Sequence, residues 1–274
     1  MRSLPDYHLH TFATEDGNNS VLEIAEAAAS RGLEEIVITD HYIEVDDNYK
    51  VTLEVLNKHR ADAKEAFERF GIKVLVGSEV DYMPDYVSEI KAFINSFDFD
   101  FVMGSAHFVG RLPIANEDVA RKFIKDNGPV KAFKKALESA ERAADSGLFD
   151  VIAHLDIIRK FYDDPEGPLP FGKYSDAAES LAKALKNSGT GFEVNCRGFG
   201  HAAGSQYPSD EFLTVLKRYE IDPITIGSDA HKTEFIGKDL DKGLKALSGA
   251  GFSELTLYDK RKPCRVPFDN FNVG

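Results

Sequence analysis

The chain has 274 residues, 43% of them hydrophobic and 29% charged, which is ordinary composition for a folded chain with a substantial core. Its formal net charge of -13 repels phosphate backbones and excludes the basic footprint of a nucleic-acid binder, so no nucleic-acid partner is expected. No run of about 18 apolar residues suggests a membrane partner. The opening Met1–Asp6 lacks a leader's apolar stretch, and two cysteines, Cys196 and Cys264, are too few for a disulfide framework, so the cytoplasm is the expected compartment.

In chain order, Asp6–His10 reads as a strand ending in His8-Leu9-His10, followed by a helix over Ser20–Arg31. Ser20 and Glu23 form a capping-box pair at that helix start, and Gly32 marks its end. A strand over Glu35–Asp40 runs into His41, and its Ile36-Val37-Ile38 is apolar at every position, the pattern of a strand buried on both faces. A helix over Leu53–Phe70 precedes the strand Lys73–Asp81, which ends in Glu79 and Asp81. After a helix over Asp85–Ser96 comes the strand Asp100–Ala106, with His107 directly behind it. Helices over Glu117–Asp126 and Pro129–Ser146 lead to the strand Asp150–His154. Pro129 suits a first helical turn. The helix Tyr174–Ser188 precedes the strand Gly191–Asn195, and the helix Ser209–Tyr219 precedes the strand Ile224–Asp229, with His231 two residues on. A last helix is expected over Thr233–Ser248. The short apolar run Glu254–Tyr258 carries no metal-type residue nearby.

Seven strands alternating with helices predict an α/β fold, a distorted TIM-like (β/α)7 barrel occupying residues 1–274 as one domain. The alternative, a doubly wound open sheet, lacks a G-x-G-x-x-G or P-loop motif in its support. In a parallel barrel the strand ends converge on one rim, the C-terminal face, which is where the polar residues fall.

Side chains two apart on a strand share a face, so His8 and His10 can share one cation, and Asp229-Ala230-His231 repeats the logic. Imidazole and carboxylate donors suit Zn, Fe and Mn. Six histidines with at least two carboxylates exceed the three or four ligands of one catalytic metal, so two or three ions are expected. His59, mid-helix among charges, reads as a solvated surface residue. His201, in the Arg197–His201 loop, reads as substrate-binding or without a role.

His8-Leu9-His10, Thr39-Asp40-His41, Gly77-Ser78-Glu79, Gly104-Ser105-Ala106-His107, His154-Leu155-Asp156 and Ser228-Asp229-Ala230-His231 resemble, in order, the motifs of the polymerase and histidinol phosphatase (PHP) superfamily. Glu79-Val80-Asp81-Tyr82, His107-Phe108-Val109, Asp156–Phe161 and Glu193-Val194-Asn195 are similar to its stand-alone histidinol-phosphatase branch. The resemblance implies three divalent ions, zinc, iron or manganese. It assigns His8, His10, Glu79 and Asp229 to the first and Glu79, His107 and His154 to the second, with Glu79 bridging. It assigns His41, His231 and a residue after the first strand to the third; Asp16 is the candidate, with Glu15 adjacent. Glu79, His107 and Asp229 take the catalytic role in this reading.

The implied reaction is hydrolysis of a small phosphate monoester, histidinol phosphate first, by a metal-bridging hydroxide in histidine biosynthesis. Neither a D-x-D opening nor a Cys-x5-Arg motif offers a protein nucleophile, and Cys196 reads as structural. Arg159 and Arg197 are the expected phosphate clamps, with Arg111 weaker and Lys160 next in line. The alternatives are a phosphoesterase for a nucleotide or sugar phosphate, an exonuclease-type module, a non-enzymatic metal-binding protein, and an amidohydrolase barrel. The last shares H-x-H but usually adds a bridging Lys, and no Lys stands at a strand end here.

Overall fold

Apolar, β-branched runs bounded by glycine and polar turns give seven short parallel strands, and the amphipathic segments between them give the helices that cover them. The computed structural model describes residues 2–272. Its barrel strands are β1 (Asp6–Leu9), β2 (Glu35–Ile38), β4 (Lys73–Asp81), β5 (Phe101–Ser105), β8 (Val151–Ile152), β9 (Gly191–Asn195) and β10 (Ile224–Gly227), hydrogen-bonded in that order. A two-residue strand β3 (His41–Tyr42) adds to β4, pairing His41 with Glu79. The hairpin β6 (Phe108–Val109) and β7 (Leu112–Pro113) follows β5.

Closure between β1 and β10 is slight. It consists of one bridge, Leu9 with Ala230, through His10 N–H to Ala230 O (3.0 Å) and Ala230 N–H to His8 O (3.3 Å). Asp6 reinforces the seam from within, accepting from the Ser228 amide and hydroxyl and from the Gly237 amide.

The helices are α1 (Val21–Ser30), α2 (Leu53–Phe70), α3 (Val87–Asn95), α4 (Glu117–Asn127), α5 (Pro129–Asp145), α6 (Ser175–Ser188), α7 (Asp210–Arg218) and α8 (Leu240–Gly249). The Ser20–Glu23 capping box is formed at α1, and Pro129 opens α5. The expected helix over Thr233–Ser248 is broken. A single 3-10 turn at Thr233–Phe235 is separated from α8 by Gly237 (φ 70°) and Asp239 (φ 61°), left-handed backbone that no helix continues through.

The run Glu254–Tyr258 is a strand, but outside the barrel: β11 (Glu254–Asp259) pairs antiparallel with β12 (Lys262–Pro267). This hairpin lies against the N-terminal ends of the barrel strands, where Tyr258 N–H donates to Tyr7 Oη and Arg261 N–H to Asp100 O. Among the described residues no helix is long and apolar enough to cross a membrane.

Candidate metal centre

Strand ends fix the site because parallel strands stop at one level and their last side chains turn toward the barrel axis. His8 and His10 leave β1, Glu79 leaves β4, and His107, His154 and Asp229 follow β5, β8 and β10. All six are buried. His154 (φ 22°) and Asp229 (φ 52°) hold positive backbone angles that are unusual for such residues and cluster at functional sites.

The two oxygens of Glu79 face different histidines. Oε2 lies 3.2 Å from His8 Nε2, 3.1 Å from His41 Nδ1 and 3.5 Å from His10 Nε2. Oε1 lies 3.0 Å from His154 Nε2 and 3.5 Å from His107 Nε2. Asp229 Oδ1 stands 3.7 Å from His8, 3.6 Å from His10 and 3.5 Å from His231. Asp16 Oδ2 reaches His231 Nε2 (2.9 Å) and His41 Nε2 (3.3 Å). Glu15 does not join them; its backbone N–H instead donates to Asn48 O.

Donor atoms group in threes within 4.8 Å of one another: His8, His10 and Asp229; His8, Glu79 and His154; His10, His41 and His231; and His41, Asp81 and His107. A divalent ion fits such a set. Both ring nitrogens of His10 are buried without a hydrogen-bond partner, and the Nε2 atoms of His107 and His154 face each other at 3.2 Å. Buried polar atoms left so cost free energy unless something binds them.

The crowding of these groups shifts their protonation in opposite directions. Burial pushes Glu79 up, but His41, His8 and His107 outweigh it and hold the carboxyl well below its usual range. Burial, then His231, His41 and His8, push His10 well below the ordinary histidine value, so it is neutral with a lone pair to give. Burial also lowers His8, but Glu193, Asp229 and Glu79 together raise it well above.

Partners one layer out orient the rings. Asp81 accepts from His107 Nδ1 (3.0 Å) and from its backbone N–H. Glu193 does the same for His8 Nδ1 at 2.7 Å and accepts the His154 N–H at 3.0 Å. Its role was missed in the sequence, although period two puts Glu193 on the inward face with Asn195, whose amide contacts Asp229. Gly227 makes room for this pair, since a Cβ there would stand 2.5 Å from His8 Cβ and 2.7 Å from Glu193 Oε1.

A cavity of about 530 Å3 opens over the centre. Its lining includes Asp16, His231 and Asp229 of the centre and also Lys160, Glu117 and Asp46. The three expected substrate-binding residues are not among its lining residues. Arg159 donates to Asp156, Gln206 O and Ser205 instead, and Arg197 stacks on Phe235 at 3.9 Å. His201 meets Tyr207 Oη, and burial, with Lys160 and Arg197 nearby, lowers it to about 4. Arg111 is exposed and pairs with Asp85. His59 is a correction to the expectation of a solvated residue. It faces inward from α2, is 5% exposed, and meets Asp40 at 2.7 Å.

A family model described as PHP domain matches residues 6–197, a span that includes all but the last strand's contribution to the centre. This chain belongs to the PHP family. A relative of this PHP protein in Deinococcus radiodurans, named "Probable histidinol-phosphatase", is 28% identical over 95% of this chain and 99% of its own. A histidinol-phosphatase of Lactococcus lactis is 25% identical, covering 94% of this chain and 95% of its own. The crystal structure of histidinol phosphate phosphatase from that organism, complexed with zinc, L-histidinol and phosphate, superposes with a TM-score of 0.83 at 24% identity, over 96% of this chain and 100% of that one. That superposition establishes the barrel as the PHP fold.

Proposed function

We propose that this PHP protein is a metal-dependent phosphoric monoester hydrolase whose substrate is histidinol phosphate, as a single domain spanning the chain. The observation that carries the reading is Glu79, which lines a cavity and whose two oxygens face two separate histidine sets. His8, His10, Glu79 and Asp229 would hold one cation, Glu79, His107 and His154 a second, and Asp16, His41 and His231 a third, zinc, iron or manganese by donor chemistry. When bound, such ions neutralise phosphoryl oxygens and lower the pKa of a water, so that hydroxide is available at neutral pH.

The chain's own residues do the rest. Glu193 and Asp81 lock the His8 and His107 rings so that each presents Nε2 inward. Lys160, in the cavity lining, offers a cation to the phosphate, while Arg159 holds the segment at Ser205 and Gln206 beside it. Among the described residues no Ser, Thr or Cys lines the cavity, and Cys196 is buried elsewhere, so water attack suits the site. Glu117 and Asp46 give the lining negative charge, which fits a cationic leaving group such as histidinol better than a nucleotide. The names of the relatives support the same substrate. Two free cysteines suit the cytoplasm.

The test is phosphate release from a panel of small esters by protein reconstituted with zinc or manganese. Histidinol phosphate is expected to give the highest kcat/KM. A nucleotide or sugar phosphate at the top would replace the substrate and leave the class; no release from any ester would overturn both.

A further inference from the structure

His59 is the one buried histidine among the described residues that takes no part in the cluster around Glu79. It projects from the inner face of α2, beside Leu56 and Ala63. Its Nε2 lies 2.7 Å from Asp40 Oδ2, and its Nδ1 has no partner, so the tautomer with the proton on Nε2 donates to that carboxylate. Asp40 receives two more donors from one residue, Thr11 N–H on Oδ1 (2.6 Å) and Thr11 Oγ1 on Oδ2 (2.7 Å). Its backbone is fixed separately, because Asp40 O accepts the Ser78 hydroxyl and the Glu79 N–H.

Thr11 opens the loop that carries Asp16. That loop has little apolar anchorage, since Phe12 is 59% exposed. It turns on Thr11 itself, whose hydroxyl accepts from Ala13 N–H and whose carbonyl lies so close to Gly17 that a Cβ there would stand 1.7 Å away. Glu15 N–H to Asn48 O, Asn18 N–H to His231 O and Thr14 Oγ1 to Asp16 Oδ1 hold the loop further along, so the Thr11–Asp40 contact is its anchor at the first-strand end, and His59 shares in fixing the direction of the Asp40 carboxylate. At the loop's far end Asp16 faces His41, the residue next to Asp40, and His231.

We propose that His59 is a positioning residue which, through Asp40 and Thr11, sets Asp16 against His41 and His231 and so tunes the affinity of the cation held there. This rests on the three-cation reading above. A polar partner behind a ligand typically changes metal affinity about 10- to 100-fold when removed.

The experiment measures cation content and chelator-competition affinities for manganese in the parent, His59→Leu and His59→Gln, with melting temperatures alongside. His59→Leu fills the space without a donor, and the glutamine amide can replace Nε2–H. One of the ions is expected to weaken about 10- to 100-fold in His59→Leu, the others to stay at parental affinity, and His59→Gln to recover most of the loss. Thr11→Val beside Thr11→Ser repeats the comparison at the other end of the network and decides the matter if His59→Leu does not fold. Parental affinity for every ion in a folded His59→Leu or in Thr11→Val overturns the inference, and so does a lower melting temperature with no change in any ion's affinity. A parent that takes up no manganese would overturn the metal-centre reading itself and this inference with it.

Discussion

The two ends of the barrel bury charge in opposite ways. At the N-terminal end the buried and half-buried acids Glu35, Asp100 and Asp150 have partners in the protein. Glu35 receives Tyr7 and Lys73, Asp100 receives Arg60 and the Val76 N–H, and Asp150 receives Arg261 and the Val102 N–H. The β11–β12 hairpin then covers this end. At the C-terminal rim histidines and carboxylates crowd one another with lone pairs unmet, as at both nitrogens of His10. Acids are buried at both ends, so burial alone does not mark the site. An incomplete set of partners does, because a satisfied buried charge is structural and an unsatisfied one calls for a ligand.

Chelation is the severest way to test that contrast. Removing divalent ions is expected to abolish phosphate release, and zinc, manganese or iron to restore it; full activity in protein free of metal by elemental analysis would break the comparison. Next is Glu79→Gln, expected to lower kcat by at least about 1000-fold with loss of bound metal, since the one carboxylate charge that faces both histidine sets is removed. Asp81→Asn, which leaves the first layer intact, is expected to cost only about 10- to 100-fold; equal losses with unchanged metal content would count against a shared carboxylate.

Lys160→Met is milder again. Loss of a charged hydrogen bond of about 1.5–3 kcal/mol predicts a 10- to 150-fold fall in kcat/KM with metal retained. Weaker inhibition by inorganic phosphate is the companion readout, and Arg197→Ala is expected to change it less because that guanidinium is already stacked.

The smallest effect is at the opposite end. Burial, against the pull of Arg261, pushes Asp150 up from 3.8 to about 6. A folded value above the unfolded one means that this group's stabilisation is complete below about pH 4 and is lost as pH rises through 6. Between pH 5 and 7.5 the loss is on the order of 1 kcal/mol, and Asp150→Asn is expected to flatten that slope in metal-free protein followed by urea unfolding. An unchanged slope would mean that Arg261 compensates the carboxylate fully.

Much of this was legible from spacing. Strand periodicity and the polar residues at strand ends located the rim and every member of the histidine cluster, because both follow from alternation along a parallel strand. What spacing could not reveal was which way a long side chain turns after its strand ends. Arg159 and Lys160 are adjacent, yet only Lys160 lines the cavity. His59 was misread because its neighbours Lys58 and Arg60 are charged, although Leu56 and Ala63 place it on the helix face toward the barrel. The last helix was drawn through Gly237 and Asp239, where the chain bends back so that the Gly237 amide can reach Asp6.

The slight seam between β1 and β10 has a consequence for the life of the protein in a cell. His8 and His10 stand on one side of it, and Asp229 and His231 on the other. Any ion gripped from both sides is therefore a clasp on the barrel as well as a reagent, and its binding free energy adds to folding by mass action. Under metal starvation that contribution would be lost, and proteases that sample open chains would then set how much protein remains. Abundance would track metal supply with no regulator involved.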